Sequence, residues 1–217
     1  MLELNEFYNM DCLEGMKQFP DKYFELAIVD PPYGININNN IGRRSGDKKS
    51  DYKKVKWDSK PPEKEYFNEL IRVSKNQIIW GANHFIENIK FNSSCWIVWD
   101  KLFSDEVSFA SFEMAYTSFS SPSKRYVLSQ QQQDRIHPTQ KPVALYQWLL
   151  RKYAKKGDKI LDTHVGSASS LIACHKLGFD YIGFELDKDY FDKATERLEE
   201  IKAQMSLFDF VERREPG

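Results

Sequence analysis

An α/β fold is the class predicted for this 217-residue chain, on three observations. Short apolar runs suited to buried strands, among them Leu26-Ala27-Ile28-Val29 and Gln77-Ile78-Ile79-Trp80, alternate with stretches whose apolar residues recur at helical spacing. Residues 158–169 read as strand, small-residue turn, then helix, an order that lets backbone approach a ligand and aims N–H groups at it. The strand at 179–185 ends in Glu185, 23 residues after Asp162, and an acid about 20 residues beyond such a turn suits the two hydroxyls of a ribose.

Taken in order, residues 6–10 read as a short strand and 12–19 as one or two helical turns closed by Pro20. Residues 24–29 form the next strand. Pro31 disfavours α backbone at Asp30 and lacks a donor, so the strand stops there. Residues 35–61 are polar, basic and without period, and are expected to form a mobile loop. A helix follows at 62–74, a strand at 77–80 broken at Gly81, a short helix at 82–89, and strands at 94–100 and 112–118. Residues 118–136 are polar and turn-like, with the run Gln130-Gln131-Gln132-Gln133. Pro142 suits the first turn of a helix over 143–153. After the strand, turn and helix from 158 and the strand at 179–185, a helix at 188–204 completes the regular structure. One domain is expected over 1–203, with a tail at 204–217.

Composition narrows the function. Hydrophobic residues make up 41% and charged residues 29% of the chain, as in soluble globular proteins. No apolar stretch approaches the ~20 residues a membrane helix needs, and the first residues lack the basic and apolar regions of a signal peptide. Cys12, Cys95 and Cys174 are widely spaced and read as small buried hydrophobes in a reducing compartment, with no zinc site. A cytoplasmic protein without metal or membrane contact is expected. The net charge of −1 hides two basic segments, a surplus of five positive charges over 41–60 and of seven over 122–156. Each reads either as a solvated face or as phosphate contact.

The chemistry concentrates at Asp30-Pro31-Pro32-Tyr33. A carboxylate, a prolyl carbonyl and an aromatic ring stand together at the C-terminal end of a strand, where open α/β sheets bind ligands. Asp30 and the Pro31 carbonyl can both accept from one exocyclic amino group, and Tyr33 can stack on the ring that carries it.

This cluster resembles the Asp-Pro-Pro-Tyr motif of DNA amino-methyltransferases acting on adenine N6 or cytosine N4. His137-Pro138-Thr139-Gln140-Lys141-Pro142 and Asp162-Thr163-His164-Val165-Gly166-Ser167-Ala168 resemble two further motifs of that family. With the catalytic motif first and the cofactor turn last, the order is that of the β class. The resemblance implies a circularly permuted, Rossmann-like class I methyltransferase fold: a seven-stranded, mostly parallel sheet with helices on both faces and one antiparallel strand. It implies S-adenosylmethionine as cofactor, held by Asp11, Cys12, Asp30, Thr139, Lys141, Asp162, His164, Gly166, Ser167, Ala168 and Glu185. Asp11 suits the cofactor's adenine amino group or a helix N-cap, and Thr139 and Lys141 its carboxylate. Thr163-His164 replaces the family's Pro-Phe. Ala168 stands for its last glycine, a change that keeps close approach if φ stays negative.

The reaction implied is direct methyl transfer to N6 of an adenine extruded from double-stranded DNA, with Asp30, Pro31, Pro32 and Tyr33 catalytic. Cytosine N4, an RNA base and a non-catalytic nucleic-acid-binding role are the alternatives. Arg43, Arg44, Lys48, Lys49, Lys53, Lys54, Lys124 and Arg125 are the expected phosphate contacts. Gly81-Ala82-Asn83-His84-Phe85 and Trp99-Asp100-Lys101 also look like family motifs that line the base pocket. Gln204-Met205-Ser206-Leu207-Phe208 looks like a sliding-clamp peptide, with Gln204, Leu207 and Phe208 as anchors, or else a packing tail. A monomer and a homodimer are both open.

Overall fold

A computed structural model describes residues 1–35, 58–89, 91–103, 110–129 and 135–212, with backbone alone over 206–212. The elements in chain order are β1 (Glu6–Asn9), α1 (Cys12–Met16), β2 (Phe24–Val29), α2 (Lys64–Val73), β3 (Ser74–Trp80), β4 (Trp96–Asp100), β5 (Phe112–Thr117), β6 (Lys124–Val127), α3 (Val143–Tyr153), β7 (Lys159–Asp162), α4 (Ser169–Leu177), β8 (Asp180–Glu185) and α5 (Lys188–Glu212). They form one sheet in the order β1-β8-β7-β2-β3-β5-β4-β6. Every pairing is parallel except those of β5, which runs antiparallel to both β3 and β4.

The sheet therefore has eight strands where seven were expected. The addition is β6, inside the stretch 118–136 read as loop. Its four residues alternate between half-buried and exposed on an edge, and its pairing with β4 is long-range, so local composition carries little sign of it. Residues 82–89 form two short 3₁₀ turns, Ala82–His84 and Ile86–Asn88, in place of a short α-helix. The last helix continues past 204 to Glu212, so the backbone of the clamp-like segment lies within α5. Residues 36–57 of the segment 35–61 expected to be a loop, with Arg43, Arg44, Lys48, Lys49, Lys53 and Lys54, lie outside the described residues, as does the glutamine run.

Both faces of the sheet are covered, which explains why its central strands read as unbroken apolar runs. Along β2, Leu26 and Ile28 pack with Leu145 and Leu149 of α3, Leu171 of α4 and Leu198 of α5. Ala27 and Val29 face the other way, onto Met16 of α1 and Tyr66, Phe67 and Leu70 of α2. Gly183 of β8 lets α4 come close: a Cβ there would stand 2.7 Å from Leu171 Cδ1 and 2.8 Å from Val165 Cγ2. Gly183→Ala is expected to cost roughly 1–3 kcal/mol by overpacking. Urea unfolding checks this, and an unchanged midpoint would contradict it.

Candidate active site

From β7 the chain moves outward to β8, and from β2 it moves outward to β3 in the other direction. The gap between β2 and β7 is thus a topological switch point, where crevices open at the carboxyl ends of strands. β1, β8, β7, β2 and β3 all end on that edge. Asp11, Glu185, Asp162, Asp30 and Gly81 each lie at or just past one of those ends.

A cavity of about 330 Å³ opens there, lined by Asp11, Cys12, Asp30, Pro32, His137, Thr139, Lys141, Thr163, His164, Gly166, Ser167 and Glu185, among others. Residues from both ends of the chain, up to 180 positions apart from Met10 to Tyr190, meet around one cavity. Asp162 and Ala168 are buried and support the turn from outside the cavity lining. Lys124 and Arg125 sit on the far edge strand β6, where Arg125 is held by Asp100 at 2.5 Å.

The cofactor half of the cavity is built from strand ends. Asp11 caps α1, its carboxylate accepting from Leu13 N (2.8 Å) and Glu14 N (3.3 Å), while it also lines the cavity. Glu185 accepts from Gly166 N and from Asp187 N, both at 2.9 Å, which fixes its carboxylate across the turn. Burial raises its pKa against those bonds. Ala168 adopts φ +61° at the head of α4, so the condition of negative φ is not met: an alanine holds a left-handed backbone that glycine adopts freely, at about 1–2 kcal/mol of strain. Arg197 of α5 braces this turn, donating to Ser167 O (2.5 Å) and Ser169 Oγ (3.0 Å). In place of Pro-Phe, Thr163 Oγ1 lies 2.9 Å from His164 Nδ1 and 2.6 Å from the Tyr66 hydroxyl. Burial pushes His164 down to about 4, so its imidazole is neutral. Burial and the Asp11 charge push Cys12 up to about 12, so it offers a thiol and no thiolate nucleophile.

Asp162 accepts from His164 N at 3.0 Å and from the Ser170 hydroxyl. Burial dominates and pushes it up to about 7. Below the unfolded-state pKa of about 4 both states are protonated; as pH rises from there to 7 the unfolded chain ionises first, so folding loses stability. Asp162→Asn keeps an acceptor oxygen and removes that loss. Its melting temperature should gain on the wild type as pH rises through this window. A pH-independent difference between the two would contradict the assignment.

The Asp30 side of the cavity differs most from expectation. Both oxygens of Asp30 have donors: the Tyr33 hydroxyl gives to Oδ1 at 2.7 Å, and the Lys141 ammonium to Oδ2 at 2.5 Å. Burial raises Asp30 while Lys141 opposes it. Lys141, expected on a cofactor carboxylate, is buried and lies 3.0 Å from Glu113 Oε2 as well. Glu113 accepts at its other oxygen from Lys101 at 3.0 Å. Burial works against the Glu113 charge, but the two lysines outweigh it and hold its pKa at about 2. The Tyr33 ring stacks on His84, centroids 5.0 Å apart and 14° from parallel. It also lies against Gly81, where a Cβ would fall 2.0 Å from Tyr33 Cε1 and φ is +68°, so this glycine is required twice over. Asp58 holds the backbone around the ring, accepting from Tyr33 N (2.7 Å) and Gly34 N (2.9 Å).

Glu113, Tyr66, Asp58 and Arg197 were not singled out from sequence. Only Lys101 had a signal, in Trp99-Asp100-Lys101. Glu113 is paired with Trp99 across β4 and β5, a register that spacing does not disclose. Among the described residues, no three His, Cys, Asp or Glu side chains are grouped to hold a metal ion, and no helix is long and apolar enough to cross a membrane.

The switch-point crevice thus brings an acid-closed small-residue turn and a Pro-bounded carboxylate to one cavity. The model of the N6/N4 DNA methylase family matches residues 79–196, and the chain belongs to that family. The type II methyltransferase M.HinfI of Haemophilus influenzae is 24% identical over 254 residues, covering 92% of this chain and 70% of that protein. The M1.HpyAVI–SAM complex superposes with a TM-score of 0.59 at 20% identity, covering 89% of this chain and 98% of that one. PvuII DNA methyltransferase, described as cytosine-N4-specific, superposes at 0.61 with 13% identity, covering 90% of each. These superpositions establish the class I methyltransferase fold.

Proposed function

We propose that this DNA methylase moves a methyl group from S-adenosylmethionine to the N6 amino group of adenine in double-stranded DNA. One observation carries the reading: Asp30 lines the same cavity as Glu185 and Gly166. The acceptor of amino protons and the ribose-type acid thus share one space. M1.HpyAVI, a protein of this fold, is known as a complex with SAM, and the polar groups of the cavity fit that molecule. In this reading Glu185 accepts from the ribose hydroxyls, Asp11 accepts from the adenine amino group, and Thr139 donates to the carboxylate; all three line the cavity. When bound, S-adenosylmethionine supplies an electrophilic sulfonium methyl.

The chain's residues do the rest by position and charge. Asp30 and the Pro31 carbonyl accept from the exocyclic amino group and orient its lone pair away from them. Asp30 offsets the positive charge that develops on that nitrogen and takes the proton it releases. Tyr33, backed by His84 and Gly81, offers an aromatic face to the base. Adenine is favoured by the acid at position 30, by resemblance. Cytosine N4 is the second reading, favoured by the PvuII likeness.

Tritiated S-adenosylmethionine with unmethylated duplex DNA and, in parallel, with RNA, followed by digestion to nucleosides, tests this. Label is expected in N6-methyldeoxyadenosine. Label in N4-methyldeoxycytidine would move the target base, label only in RNA would overturn the substrate, and no label anywhere would overturn the reading.

A further inference from the structure

Four charges alternate in a row that starts at the cavity: Asp30 and Lys141, which line it, then Glu113 and Lys101 behind them. They come from the end of β2, the turn before α3, strand β5 and the end of β4. Lys141 and Lys101 are nearly inaccessible, their side chains 2% and 7% exposed. The Lys141 ammonium also lies 5.4 Å from the Trp80 ring centre and 5.7 Å from that of Tyr33, which leaves little room for water around it.

This row poses a problem for the chemistry proposed above, and contains its solution. Both Asp30 oxygens already hold a donor, so an amino group arriving there shares an oxygen with Lys141 or Tyr33, and the Lys141 charge weakens the carboxylate as a proton acceptor for as long as it stays. A buried ammonium with a single carboxylate partner would not give it up, because an unpaired buried charge costs several kcal/mol. Lys141 has a second carboxylate at 3.0 Å, so it can leave Asp30 without losing its counter-charge. Lys101 anchors Glu113 from the far side and keeps it ionised.

We propose that Glu113, held by Lys101, is a positioning residue that takes over the Lys141 ammonium when an amino base reaches Asp30, leaving Asp30 ionised with one oxygen open to the base. The inference rests on the amino-methyltransferase reading. Lys141 then acts as a counter-ion shared between two acids, and its position in the His137–Pro142 motif is explained without a contact to the methyl donor.

The other groups that act on Asp30 are the Tyr33, Tyr66 and Tyr146 hydroxyls and the buried Asp162. None of them carries a positive charge; among the described residues Lys141 is the cation in contact with Asp30, and Lys101 bears on it through Glu113. Removing the Glu113 charge therefore leaves Lys141 on Asp30 and eases ionisation of Asp30. Removing the Lys101 charge does the reverse.

The test is kcat against pH for Glu113→Gln, Lys101→Gln and Glu113→Asp in the full chain, with donor Kd and DNA KM measured alongside. Glu113→Gln is expected to lower kcat about 10- to 100-fold, as for loss of one well-placed polar group, with donor Kd and DNA KM little changed and the acid limb moved to lower pH. Lys101→Gln should move that limb to higher pH, and Glu113→Asp should restore part of kcat. Opposite displacements are the signature, because a residue needed only for folding moves both limbs alike or neither. If Glu113→Gln does not fold, the Lys101→Gln and Glu113→Asp profiles decide by the same signs. An active wild type whose Glu113→Gln variant keeps its kcat and pH profile overturns this inference alone. A wild type that methylates no DNA overturns the functional reading and this inference with it.

Discussion

Asp30→Asn is expected to lower methyl transfer by ~10³-fold or more while leaving donor affinity nearly unchanged. The substitution keeps the shape and one acceptor oxygen, but replaces the other with an NH2 group. That group faces the Tyr33 hydroxyl or the Lys141 ammonium, both of which are donors toward Asp30 in the wild type. More important, a neutral amide neither balances the charge that grows on the attacking nitrogen nor accepts its proton. Lys141 retains Glu113 at 3.0 Å, so the buried ammonium is not stranded and the fold should survive. Single-turnover transfer of a tritiated methyl group measures the loss, and calorimetric titration of donor checks the control. An Asp30→Asn variant with near-normal turnover would remove the carboxylate from the mechanism.

Glu185→Ala should weaken S-adenosylmethionine binding about 100-fold, with kcat at saturating donor largely retained. Hydrogen bonds to a charged acceptor contribute about 1.5–3 kcal/mol each, and a tenfold change in affinity corresponds to about 1.4 kcal/mol. Loss of two ribose contacts, softened by relaxation of the turn, gives the stated factor. The carboxylate is already oriented by Gly166 N and Asp187 N, so it meets the ribose without a rearrangement of its own. Glu185→Gln, which keeps one acceptor oxygen, should fall between the two. Donor affinity unaffected by either change would show that the ribose lies elsewhere.

Much of this site could be read from local sequence, for a physical reason. A proline pair ends a strand wherever it occurs, so Asp30 had to stand at a sheet edge. A small-residue turn between an apolar strand and a helix presents N–H groups whatever surrounds it. Two-sided burial turns central strands into unbroken apolar runs, which makes β2 and β3 legible, while β7 is legible from the turn and helix that follow it. Edge strand β6 has no such run, and it escaped notice. The left-handed backbone of Ala168 escaped as well, because alanine does not advertise positive φ; the turn imposes it, braced by Arg197.

The sequence by itself determined the fold class, the order of the motifs, and the identity of the acid and the turn, since each depends on backbone preferences or spacing within a few residues. Only the tertiary structure decided which charges meet. Lys141 could have faced a cofactor carboxylate; it lies between Asp30 and Glu113 because the parallel pairing of β2 with β3 and the antiparallel entry of β5 bring residues 30, 113 and 141 to one buried point. Charge partners in a low-dielectric interior are chosen by proximity in space, and proximity between distant segments is a property of sheet order and register.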